Sequence, residues 1–173
     1  MNCLSRFALF LVPLLFANCA QIPELGAMTD KGGTRHRRIV VSLSEQKAYL
    51  YHEGKMVAVS PISSGREGKH TPVGRFSVVE KDPDHRSSLY GNYVRDGKVV
   101  KENVDVRKTP RPAGCQFEGV PMPYFLRFTS GYGLHAGRLP GYPASAGCVR
   151  LPLRQAKRFY NAVQVGTPVV VQR

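Results

Sequence analysis

Acidic side chains are scarce in this 173-residue chain, 12 Asp and Glu against 25 Lys and Arg, which leaves a formal net charge of +13. That balance selects anionic partners: nucleic acid, membrane headgroups, or an acidic polymer such as a cell wall. The Lys and Arg are scattered and form no basic stripe interleaved with stacking aromatics, so nucleic acid is disfavoured. Cysteine is equally scarce, with four in all. There is no C-x-x-C pair and no close second histidine, which weakens a zinc site built from Cys115, His135 and Cys148. No internal repeat is visible, and helical periodicity is confined to one segment. The one apolar run, "FALFLVPLLFANC", is too short for a membrane span and is broken by Pro13.

That run reads as an export signal. Arg6 is the only charge in residues 1–19, and the apolar stretch ends in small residues at Ala17 and Cys19. A Cys at this place resembles the lipobox of bacterial lipoproteins, whose processed N-terminal Cys is acylated; Phe16 and Asn18 depart from the usual lipobox residues. Cys19 is therefore the expected lipid attachment, with cleavage near Ala20 as the rival. Either outcome places the protein in the periplasm or cell envelope, where disulfides can form. Residues 20–36 carry Pro, Gly and Thr without apolar periodicity and read as a tether. The folded part is then residues 37–173.

Within it, strand signals dominate. "IVVSL", "KAYLYH" and "MVAVSPIS" are β-branched or aromatic runs separated by polar turns, the second turn being "HEGK". "SSGREGKHTPVG" reads as a loop leading into the strand "RFSVVE". The segment "KDPDHRSSLYGNYVRDGK" reads as a turn-rich excursion over the surface, and "PYFLRF" regains strand character. From Leu151 to Val165 the spacing of Leu153, Ala156, Phe159, Tyr160 and Val163 predicts a helix that Gly166 ends. "TPVVV" supplies a closing strand. The expected fold is mostly β within the α+β class, with one or two packed helices and long loops on one side.

The chemistry concentrates in "GLHAGRLPGYPASAGCVRLP". A reactive thiol needs a base or cation to sustain the thiolate and backbone donors for the oxyanion formed when a carbonyl is attacked. Cys148 follows Gly147, whose missing side chain lets a substrate approach, and Arg150 adds a positive charge. His135 lies thirteen positions upstream across a Gly/Pro loop that can fold back as the base. Cys115 and Cys148 also allow the opposite outcome, a disulfide in an exported structural domain.

Together with "PMPYFLRF", "IVVSLSEQKAYLY" and "SSGREGKHTPVGRFSV", this stretch resembles the L,D-transpeptidase catalytic domain (YkuD) family over roughly residues 37–172. The resemblance implies a β-sandwich of mixed sheets with an active-site loop. It implies that Cys148 is the nucleophile and His135 the general base and acid, with the carbonyl of Ala136 or Gly137 holding the ring. The amides of Gly147 and Cys148 would form the oxyanion hole, and Arg150, Tyr124 and Ser145 would contact substrate. The substrate implied is a peptidoglycan stem peptide, cleaved between a diamino acid and D-Ala, with transfer to a second stem or to an envelope lipoprotein. No cofactor or metal is called for. The family usually places a His before the Gly-Cys pair, where this chain has Ala146. A wall-binding lipoprotein without catalysis and an L,D-carboxypeptidase are the alternatives.

Overall fold

A computed structural model describes residues 37–173; the leader, Cys19 and the tether lie outside the described residues. Strands β1 (Arg37–Ser42), β2 (Lys47–His52) and β3 (Lys55–Pro61) form the expected meander. The β2–β3 connection is Glu53-Gly54, both in the left-handed region at φ 51° and 75°. That is the two-residue turn whose twist matches paired strands. The chain continues through β4 (Gly74–Ser77), β5 (Glu80–Asp82), β6 (Arg86–Arg95), β7 (Lys98–Asp105), β8 (Gln116–Pro121), β9 (Phe125–Thr129) and β10 (Tyr132–Ala136). It ends with β11 (Val149–Leu151), the helix α1 (Leu153–Ala162) and β12 (Pro168–Gln172).

Three sheets result. The first has the order β3-β2-β1-β12-β4 and is mixed, because β12 runs parallel to β1 and antiparallel to β4. The second, β11-β10-β9-β5, is mixed through the parallel pair β10–β11. The third, β7-β6-β8, is antiparallel. One core joins the first two sheets and α1, with Ile39, Val41, Phe128, Leu134, Val149, Phe159 and Val169 at its centre. Cutting Phe159, fully buried, back to alanine would cost about 3–5 kcal/mol. A smaller cluster of Tyr93, Val104 and Cys115 holds the third sheet together.

Two expectations need correction. "KDPDHRSSLYGNYVRDGK" is no surface excursion: it contains the ten-residue strand β6, which pairs with both β7 and β8. Its Ser, Asn and Arg content hides the strand, while Asp96-Gly97, at φ 50° and 72°, makes a second two-residue hairpin turn. The helix is shorter than its periodicity predicts. Leu151 is held in β11 opposite Ala136, so the helix starts after Pro152, and Val163 already has extended backbone. Lys81 on β5 donates to the carbonyls of Tyr160 and Val163, at 2.7 and 2.6 Å, and so closes the end of a helix with no basic residue in its last turn.

Candidate active site

The four-stranded sheet has two faces, assigned by strand alternation. Leu126, Phe128, Leu134 and Val149 point to the core and are almost fully buried. The intervening residues point the other way, into a cavity of about 730 Å³ lined by His85, Phe125, Arg127, His135, Cys148 and Arg150, among others. Register aligns them in rows. His135 is opposite Arg150, and Phe125 is opposite Asp82. In the next row Gly133 is opposite Arg127, which is opposite Glu80. Gly133 leaves room for the Phe125 ring, which a Cβ there would approach to 2.5 Å.

His135, 6 % exposed, has one hydrogen bond, from Nδ1 to the Ala136 carbonyl oxygen at 2.7 Å. A carbonyl only accepts, so Nδ1 carries the proton and Nε2 keeps a free lone pair. Burial pushes the imidazole down to about 4. The Ala136 bond opposes that shift, and the nearby Arg150 and His85 reinforce it. The thiol of Cys148 lies 3.8 Å from the Gly131 carbonyl oxygen. Burial pushes it up, against a backbone hydrogen bond from Gly133 and the charges of Arg127 and Arg150. Both shifts favour a neutral thiol and a neutral imidazole at rest.

The cysteine loop is fixed by a second loop, residues 62–71. Thr71, 3 % exposed, accepts from the Gly65 amide at 2.9 Å and donates to the Gly147 carbonyl at 2.7 Å. The Ser64 carbonyl accepts the amides of Ala144 and Ser145, both at 3.0 Å. Ser63 exchanges backbone hydrogen bonds with Arg150, and Arg66 binds the Ser145 carbonyl through both its amide and its guanidinium. Gly147 has φ 127°, where a side chain is strained, and a Cβ there would fall 2.6 Å from the Tyr132 ring. The glycine therefore serves loop packing as well as access.

Cys148, His135 and Arg150 thus share one cavity. Arg150 is half-buried and has no salt bridge or side-chain hydrogen bond among the described residues, so its guanidinium is free for an anionic ligand. Other expected residues are placed differently. The Gly147 amide donates to the Ser145 hydroxyl at 2.9 Å, so it is not a free oxyanion donor; the Cys148 amide makes no such bond among the described residues. Ser145, 1 % exposed, uses its hydroxyl within the loop, donating to the Cys148 carbonyl at 2.5 Å, so it braces the cysteine loop and is not open to the cavity for a ligand contact. Tyr124 does not line the cavity. It packs edge-on against Tyr160 of α1, ring centres 5.7 Å apart, because its φ of 58° turns it toward the helix.

Cys115 and Cys148 are both free thiols, which overturns the disulfide. Cys115 is buried in the small cluster with Tyr93 and Val104, and the Cys115, His135 and Cys148 zinc set is not assembled. Glu80, Asp82 and His85 do approach one another, but Glu80 is paired with Arg127 at 2.6 Å and Asp82 with His85 at 3.0 Å. Reading from the residues alone did not find Thr71, Ser63, Ser64, Arg66, Arg127 or His85. The phrase "SSGREGKHTPVG" was the available signal for the first four.

Known proteins share the sequence pattern and the fold. A family model described as "L,D-transpeptidase catalytic domain" matches residues 36–171. "Probable L,D-transpeptidase ErfK/SrfK" of Salmonella typhimurium is 30% identical over 140 residues, covering 77% of this chain and 43% of that protein. "Probable L,D-transpeptidase YbiS" of Escherichia coli is 30% identical over 155 residues, covering 86% of this chain and 47% of that protein. The chain thus spans a little under half the length of these relatives. The crystal structure of L,D-transpeptidase 3 from Mycobacterium tuberculosis is similar with a TM-score of 0.60 and 26% identity, over 80% of this chain and 61% of that one.

Proposed function

Because the chain belongs to the L,D-transpeptidase catalytic domain family, we propose that it is a cysteine acyltransferase acting on peptidoglycan stem peptides outside the cytoplasm. In this reading Cys148 attacks the carbonyl joining the diamino acid to the terminal D-Ala while His135 Nε2 takes the thiol proton. The tetrahedral oxyanion meets the Cys148 amide, with the charges of Arg127 and Arg150 nearby. His135 then protonates the departing nitrogen of D-Ala, leaving a thioester. An amine on a second stem, or on an envelope lipoprotein, attacks the thioester; its proton passes through His135 to the sulfur, and the thiol is restored. The free guanidinium of Arg150 binds a substrate carboxylate, in keeping with the cavity's basic lining. The leader of residues 1–19 exports the protein, and lipidation at Cys19 tethers it to a membrane.

One observation carries this reading: a thiol and an imidazole of the productive tautomer face one cavity beside an arginine with no ion pair among the described residues. The test incubates the protein with purified tetrapeptide muropeptides and identifies products by mass. Wild type and Cys115→Ala should release D-Ala and form cross-linked dimers, and Cys148→Ala should form neither. A wild type that binds the muropeptides but releases no D-Ala would establish a wall-binding protein without catalysis.

A further inference from the structure

Two histidines face the cavity, and the mechanism above uses one. The other, His85, follows β5, on the strand edge farthest from Cys148. Its Nδ1 lies 3.0 Å from Asp82 Oδ2, and a carboxylate only accepts, so Nδ1 carries a proton and Nε2 is the nitrogen left to exchange one with the cavity. The second Asp82 oxygen accepts the Asp84 amide at 3.0 Å. The Asp84 and His85 bonds hold that carboxyl below its ordinary range. The His85 ring is stacked on Phe125, centres 4.2 Å apart and planes 13° from parallel, and Phe125 in turn packs on His135 with centres 6.2 Å apart. The backbone on either side of Asp84 is pinned, since the Met122 amide donates to His85 at 2.7 Å and the Tyr124 amide to Pro83 at 2.9 Å. These contacts make His85 a built imidazole, held at one ring face by Phe125 and at one nitrogen by Asp82.

We infer that His85, oriented by Asp82, is a second catalytic residue of this site, the base that takes the proton from the incoming acceptor ammonium. The inference rests on the amine-transfer reading above. An aliphatic amine with a pKa of about 10.4 is neutral in roughly one molecule in 2,500 at pH 7, and only the neutral form attacks a thioester. The two imidazoles divide the work by their partners. An imidazolium on His135 would face a carbonyl in a buried site, whereas one on His85 faces a carboxylate. The step balances: the ammonium N–H breaks and its proton goes to His85 Nε2, and the amine forms the C–N bond as the C–S bond breaks. The second amine proton then reaches the sulfur through His135, and His85 returns its proton to water. The charged groups around His85 are Asp82, Glu80 and Arg127, with His135 beyond Phe125.

The experiment separates the two half-reactions in wild type, His85→Phe, which keeps the ring stack, and Asp82→Asn, which keeps the imidazole. D-Ala release is followed in a single turnover, and dimer against hydrolysed tripeptide is measured with excess acceptor stem at pH 7 and 9.5. D-Ala release measures how much acyl-enzyme each variant forms, and the dimer-to-hydrolysis ratio reads the fate of that acyl-enzyme whatever its rate of formation. At pH 7 the dimer-to-hydrolysis ratio should fall at least tenfold in His85→Phe, and the defect should shrink several-fold at pH 9.5, where the acceptor arrives neutral more often. Unchanged ratios in both variants would overturn the inference and leave the proposed function standing. A wild type that releases no D-Ala, or makes only hydrolysed product, would overturn it together with the amine-transfer reading.

Discussion

Replacing Thr71 by valine exchanges a hydroxyl for a methyl of nearly the same volume at a buried position, so it tests two hydrogen bonds with little change in packing. The Thr71 hydroxyl is the partner of the Gly65 amide, at 2.9 Å, and of the Gly147 carbonyl, at 2.7 Å. Thr71→Val leaves both backbone groups buried without a partner, each at a cost of about 1–3 kcal/mol. The expected loss is about 2–6 kcal/mol, a large fraction of the roughly 5–15 kcal/mol that holds a domain folded. Thr71→Ser retains the hydroxyl and should lose only about 1 kcal/mol with the methyl group. Urea unfolding of the three proteins gives the stabilities, and single-turnover D-Ala release gives the chemistry. Because Gly147 adjoins the nucleophile, its release should slow acylation about 10- to 100-fold in Thr71→Val and only a few-fold in Thr71→Ser, as expected for a misplacement near 1 Å. A valine variant within about 0.5 kcal/mol of wild type and equally fast would refute the claim that Thr71 fixes the cysteine loop.

Stability should depend on pH through His135. Its folded pKa of about 4 lies below the unfolded value near 6.5, so the unfolded chain binds a proton first on acidification. Stability should be flat with respect to this group above about pH 6.5 and fall by up to about 3 kcal/mol on approaching pH 4; His135→Gln should lack that slope in denaturant titrations from pH 7 to 4. Cys115→Ala should retain activity while losing about 1 kcal/mol or more from the small cluster, measured by thermal unfolding; inactivity with an intact fold would reassign Cys115. Ala146→His should change the acylation rate less than tenfold, the scale of one supporting polar contact. An inert wild type revived by Ala146→His would show that the base is not His135.

The parts of the fold legible in the sequence are those written in local patterns. The β1–β3 meander follows from β-branched runs and Glu53-Gly54, and α1 from the spacing of Ala156 and Phe159. β6 was hidden because "RSSLYGNYVR" becomes a strand by pairing with β8, residues 116–121, a long-range contact that local propensity does not record. The site divides in the same way. Cys148, His135 and Arg150 are carried by one continuous stretch, and parallel pairing of β10 with β11 puts them on one face. The use of the Gly147 amide by Ser145, and the turning of Tyr124 toward Tyr160, depend on dihedrals and neighbours that the order of residues does not encode. Thr71 and His85 join the site across 76 and 50 positions respectively, the first by a hydrogen bond to Gly147 and the second through Phe125 to His135.

The position of β12 governs when this site can exist during synthesis. β12 lies between β1 and β4, so until residues 168–172 have been made the first sheet is two fragments with two unpaired edges. The loop that clamps the cysteine spans the interval between those fragments, running from β3 to β4. A nascent chain therefore carries the thiol before it carries the frame that aims it. Pairings this distant in sequence form slowly, so the thiol is present well before the loop geometry around it is fixed.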